Sequence, residues 1–70
     1  MTALEHFRKR IRREIDGAGV SQRELARRSR IPFVRVNRIL QGHVDPKLSA
    51  AESLAKAVGK KLSEIFAGAS

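Results

Sequence analysis

Residues 21–42, SQRELARRSRIPFVRVNRILQG, decide the fold. Ser21 followed three residues later by Glu24 has the spacing of a capping box, in which each side chain satisfies a free backbone N–H at a helix start. Val20 and Leu25 flank the cap at the two positions of a hydrophobic staple. A helix over about Gln22 to Ser29 follows, with Leu25 and Ala26 turned inward. The next helix opens at Pro32, whose fixed φ and missing N–H suit a first helical position, and stops at Gly42, a favoured residue just past a helix end. It runs over about Pro32 to Gln41 and buries Val36, Ile39 and Leu40, with Ile31 anchoring the turn before it. Only one tight turn fits between the two helices. That arrangement is a helix-turn-helix, whose second helix can enter a DNA major groove.

Working outward, Leu4, Phe7, Ile11, Ile15 and Ala18 recur at spacings of three and four, which predicts a first helix over about Ala3 to Gly17 with one apolar stripe. Its opposite face carries Arg8, Lys9, Arg10, Arg12 and Arg13, and Gly17 and Gly19 end it. Gly42 to Pro46 reads as a loop. Ser49 with Glu52 repeats the capping-box spacing, opening a fourth helix that runs to Val58, with Gly59 as its stop and Ala51, Leu54, Ala55 and Val58 inside. A short fifth helix, about Leu62 to Phe66, offers Leu62, Ile65 and Phe66. No stretch alternates at period two, so no strand is expected. The reading is all-α: one compact five-helix domain spanning 1–70, with a core over about 3–66 and a frayed tail at 67–70.

Composition narrows the chemistry. A 70-residue chain buries only about 60% of its unfolded surface, so the core is small and dimerisation is a reasonable expectation. The absence of Cys excludes disulfides and thiolate metal sites and suits a reducing cytoplasm. No apolar run approaches the ~20 residues of a membrane span, and the N-terminus lacks a signal-peptide core. The net charge of +8 is uneven: residues 1–42 hold eleven Lys/Arg against four acids, a net +7, and residues 43–70 hold four against three, a net +1. A polyanion partner is therefore expected to meet the N-terminal half. Charge alone suits nucleic acid and an anionic membrane surface equally.

The runs VSQRELARRSRI, VRVNRILQG and DPKLSAAESLAKAVGKKLSEIF resemble the lambda-repressor-like (Cro/repressor-type, XRE) helix-turn-helix family over about Phe7 to Phe66. Ser21-Gln22 with Leu25-Ala26 is a fairly specific signal, and Pro46, Leu48-Ser49, Leu54-Ala55 and Gly59 support it independently. The resemblance implies a sequence-specific transcription regulator, often a dimer on a palindromic operator; some members are antitoxins. Three departures stand out. Arg30 occupies a turn position where the family usually has Gly; if left-handed, it costs about 1 kcal/mol, and the turn is expected to survive with slight strain or a changed geometry. Ile15 and Leu40 stand where the family often places an Arg–Glu ion pair, a paired replacement by an apolar contact that removes two desolvation costs. Lys60-Lys61 replace an apolar residue and a small polar cap, which blurs the start of the fifth helix.

The resemblance places base readout on Phe33, Val34, Asn37 and Arg38 of the third helix, with Arg35 beside them. Arg38 can pair bidentately with guanine and Asn37 with adenine; Phe33 and Val34 can only meet thymine methyls or sugars. Phe33 divides evenly between that role and folding back into the core, whereas Val34 is expected outside. Gln22 matches the family position that holds a phosphate and braces the recognition helix, aided by free N–H groups at that helix start. Arg23, Arg27 and Arg35 are candidate phosphate contacts, each nearly as well explained as a solvated helix face but favouring DNA as a cluster. His43 and Lys47 are the candidates in the following loop. The run Arg8 to Arg13 either reaches phosphates at one edge or serves solubility. Leu62, Ile65 and Phe66 are core by default and candidates for a shared dimer interface.

No catalytic constellation is visible. Ser21 and Ser49 read as caps, the histidines have no triad partners, and no Gly-rich phosphate loop occurs. His6 and His43 lack further ligands at chelating spacing, so neither metal nor cofactor is expected. The leading expectation is a double-stranded-DNA-binding regulator, in the first instance a repressor, acting as a homodimer in the cytoplasm. The alternative from another class is an antitoxin or other protein-binding module, with a toxin or polymerase as partner and Phe33 and Val34 as its contact. A basic amphipathic membrane binder explains the charge but not the two capping boxes and the turn.

Overall fold

A computed structural model describes residues 2–67 and consists, over that range, of five helices: α1 Ala3–Ala18, α2 Gln22–Ser29, α3 Phe33–Gln41, α4 Leu48–Ala57 and α5 Leu62–Phe66. Except for Ala67, which is exposed, the tail expected to fray lies outside the described residues. The chain belongs to the all-α class expected from its periodicity, and no strand occurs among the described residues. None of its helices is long and apolar enough to cross a membrane.

The core is assembled from one stripe of each helix. Phe7, Ile11 and Ile15 of α1 meet Leu25 and Ala26 of α2, Val36, Ile39 and Leu40 of α3, Ala51, Leu54 and Ala55 of α4, and Ile65 of α5. The i, i+4 run in α1 puts its three large side chains on one line, while Ala18, expected on the same stripe, is exposed at the helix end. Burying a Leu or Ile fully is worth about 1.5–3 kcal/mol, and side chains such as Leu25, Ile39 and Leu54 supply most of what a domain this small can gather. The apolar replacements at Ile15 and Leu40 are both buried in this cluster. α5 closes the assembly: Ile65 is fully buried and the Phe66 ring stacks on Phe7 with centroids 5.6 Å apart. Ile65 therefore has no surface to share with a second copy. Of the three residues assigned to a candidate dimer interface, only the half-buried Leu62 and Phe66 retain any.

Helix ends follow one rule four times. After α1, α2, α3 and α4 the chain makes paired backward bonds, such as Val20 N–H to Ile15 C=O at 2.8 Å and His43 N–H to Arg38 C=O at 2.9 Å, with a left-handed residue inside each. That residue is Gly19, Gly42 and Gly59 in three cases and Arg30, at φ 60°, in the fourth. The tight turn survives without its glycine, because Arg30 N–H and Ile31 N–H still reach the Arg27 and Ala26 carbonyls.

Each of the five helix starts adds to or differs from expectation. Thr2, unremarked in the sequence, caps α1 by accepting from Glu5 N–H at 3.1 Å. At α2 Ser21 Oγ accepts from Glu24 N–H, but the Glu24 carboxylate turns to arginines of its own helix, so only half a capping box forms. Pro32 sits at the cap, one residue before α3. The second capping box is absent: α4 begins at Leu48 with Lys47 as its cap, which places Ser49 inside the first turn. α5 starts behind Lys61, whose backbone N–H is held by the Glu64 carboxylate at 2.9 Å. This is the glutamate arm of a capping box alone, since a lysine side chain cannot accept.

Candidate nucleic-acid interface

α3 buries Val36, Ile39 and Leu40, which leaves Val34, Arg35 and Arg38 on its outer face. Val34 is 59% exposed, a large apolar side chain held in water with no intramolecular reason to be there. The loop after α3 borders this face: Val44 and Asp45 line a shallow cleft of about 400 Å³ together with Pro32, Val34, Arg35 and Arg38. The cleft thus combines a methyl-bearing floor with two free guanidinium groups, the side-chain types that meet thymine methyls and guanine edges.

Asn37 lies between the outer face and the core and is half-buried. Its Nδ2 donates to Gln22 Oε1 at 3.0 Å, tying the middle of α3 to the first residue of α2. The polarity of this bond matters. Gln22's acceptor is occupied, leaving its amide N–H groups as the free end beside the start of α2, where backbone N–H groups also gather. Asn37 keeps one N–H and its carbonyl oxygen, which are the two groups a bidentate contact to adenine uses.

Phe33 packs partly against the core rather than standing free, and the Arg23 guanidinium covers its ring, 4.4 Å from the centroid. This places the side chain closer to the core alternative and turns its outer surface into a platform for Arg23, a contact worth about 0.5–1 kcal/mol at an exposed site. Arg27 is paired with Glu24, which also accepts from Arg28 Nε at 3.1 Å. The hydrogen bond from Arg27, opposed by partial desolvation and aided by Arg28, holds the Glu24 carboxyl below its usual range. Glu24 holds the Nε edge of Arg27, and the remaining guanidinium N–H groups of this largely exposed side chain stay open to a phosphate. Arg35, His43 and Lys47 are exposed.

The basic run of α1 separates into different roles. Arg10 pairs with Glu14 along the helix at 2.9 Å, and Lys9 and Arg13 face solvent. Arg8, expected on a solvent face, is partly buried, and Arg12, though exposed, joins it in flanking the apolar stripe and reaching across to the end of α3. Arg12 donates to the Leu40 carbonyl and Arg8 Nε to the Ile39 carbonyl, both at 2.7 Å. The last carbonyls of a helix carry partial negative charge and lack intrahelical partners, so a guanidinium is a fitting cap for them. Sequence reasoning assigned these two arginines no such task. Their i, i+4 spacing beside Phe7 and Ile11 is the only trace of it in the sequence. Further basic groups, Arg28, Arg30 and Lys56, line a separate cleft between α2 and α4 with Ser53.

A short helix braced across the start of a second, with polar and cationic side chains outward, defines a helix-turn-helix domain. Residues 10–65 match the Helix-turn-helix family model, and the chain belongs to that family, the lambda-repressor-like (XRE) type. Its members are DNA-binding transcription regulators rather than enzymes. No curated protein and no solved structure matches the chain.

Proposed function

We propose that the protein is a sequence-specific double-stranded-DNA-binding repressor that inserts α3 into the major groove of a palindromic operator, two copies occupying successive grooves about 34–36 Å apart. The observation that carries this reading is the outer face of α3, where Val34, Arg35 and Arg38 stand free while Asn37 is braced by Gln22. Arg38 reads guanine through its forked N–H groups and Asn37 reads adenine with the two groups left free by its bond to Gln22. Val34 contacts a thymine methyl. Phe33 contributes only its outer edge and, through its ring, the placement of Arg23. Gln22, Arg23 and Arg35 hold phosphates on one side of the helix and His43 and Lys47 on the other, with Arg27 adding the guanidinium edge that Glu24 leaves open. Repression follows from occupying a site that polymerase needs.

The test is replacement of Arg38 by Ala, with binding measured on the preferred site and on its single-base variants. Discrimination at one base position is expected to fall by about 1–3 kcal/mol while the other positions keep their preferences. Unchanged preference at every position would remove α3 as the reader.

A further inference from the structure

We infer that Arg8, on a helix that touches no base in the proposed complex, is a positioning residue for the DNA-backbone loop His43–Lys47, acting through Asp45. This rests on the DNA-binding reading above. The Arg8 side chain is only 14% exposed, and its guanidinium spans two elements at once. Nε donates to Ile39 C=O at 2.7 Å, at the end of α3. The other arm donates to Val44 C=O at 3.2 Å and to Asp45 Oδ1 at 2.9 Å, in the loop. One rigid fork thereby fixes the distance between the recognition helix and the segment that carries His43 and Lys47.

Asp45 is the decisive partner. The Val44 bond is long, whereas the bond to the carboxylate is short and charge-assisted, hence the stronger hold on the loop. Asp45 is otherwise out of place: it is 72% exposed and lines the same cleft as Arg35 and Arg38, where a carboxylate opposes a polyanion. Its pairing with Arg8 uses it as a tether. Gly42 lies beside this fork, but a Cβ there would sit at an ordinary 3.9 Å from the Arg8 guanidinium, so its left-handed φ of 84° rather than crowding accounts for the glycine.

The test uses the full chain and its selected DNA site, with Kd followed against salt well below each variant's melting temperature. R8K keeps the charge, but an ammonium on a flexible stem cannot bridge Ile39, Val44 and Asp45 together. It is expected to weaken binding about tenfold and to lower the slope of log K against log salt by about one, the signature of one lost phosphate contact. K47A is expected to cost less in the R8K background than in the wild type. D45A, an exposed change that leaves the core intact, decides the matter by sign. It makes the protein more positive, so charge alone would tighten binding, whereas loss of the tether weakens it several-fold. Tighter or unchanged binding by D45A, or an R8K protein that melts earlier but binds with the wild-type slope, overturns the inference. Failure of the wild type to select any site would instead be a failure of the DNA reading itself, seen before any variant is compared.

Discussion

Arg30 shows how much a single residue can depart from the residue type its position favours without breaking the fold. Its φ of 60° is the left-handed conformation that glycine adopts freely, and an L side chain there costs about 1 kcal/mol. Nothing in its surroundings repays that, because Arg30 is exposed and its backbone bonds would be kept by any residue. Arg30→Gly is therefore expected to stabilise the domain by about 1 kcal/mol, less the extra freedom glycine gains in the unfolded chain, and to raise its melting temperature by a few degrees. A thermal melt by circular dichroism checks this; a fall in melting temperature would mean that the side chain makes a contact absent from the structure. This position was legible through the family resemblance, which marks the slot before Ile31 as one that usually holds Gly. The Arg8 and Arg12 contacts were not. A guanidinium reaches far enough to choose among several carbonyls, and only the crossing of α1 over the end of α3 determines which it meets.

At the scale of the elements, α2 and α3 were legible nearly to the residue because their ends are written in local chemistry: Ser21, Pro32 and Gly42 act through the backbone beside them. The capping boxes were less secure. Ser21 and Ser49 have the same S-x-x-E spacing, yet only Ser21 caps a helix, and its glutamate turns away. The spacing cannot tell where a helix begins when the preceding residues can also adopt helical angles, and Leu48 extends α4 backward past Ser49. The two serines therefore predict different costs. Ser21→Ala is expected to lower stability by about 1 kcal/mol through loss of the bond to Glu24 N–H. Ser49→Ala, on an exposed first turn, is expected to stay within about 0.5 kcal/mol of the wild type. Urea titrations of the two variants measure the contrast, and equal costs would restore the second capping box.

The whole molecule is small and its charge is distributed more widely than the halves of the sequence suggested, with Arg28, Arg30 and Lys56 gathered away from the outer face of α3. Its extents are 30 × 24 × 19 Å, close to the spacing of about 34–36 Å that separates two half-sites. Two copies on adjacent grooves can then meet over little more than their nearest ends. With Ile65 fully buried inside each copy and Leu62 and Phe66 only partly exposed, the contact is expected to fall below the area of a stable interface. Sedimentation should accordingly find monomers at micromolar concentration and two copies together only on DNA. A dimer in the absence of DNA would require an interface built from other surfaces.

The central claim, that α3 reads a palindromic DNA site, is tested most directly by selecting bound duplexes from a random pool at two salt concentrations. The account predicts an enriched palindrome with half-sites about one helical turn apart, containing guanine and adenine where Arg38 and Asn37 meet the groove and retained at the higher salt. Recovery of no sequence, with weak binding that disappears as salt rises, would contradict it and leave the basic surface as a nonspecific attraction for polyanions.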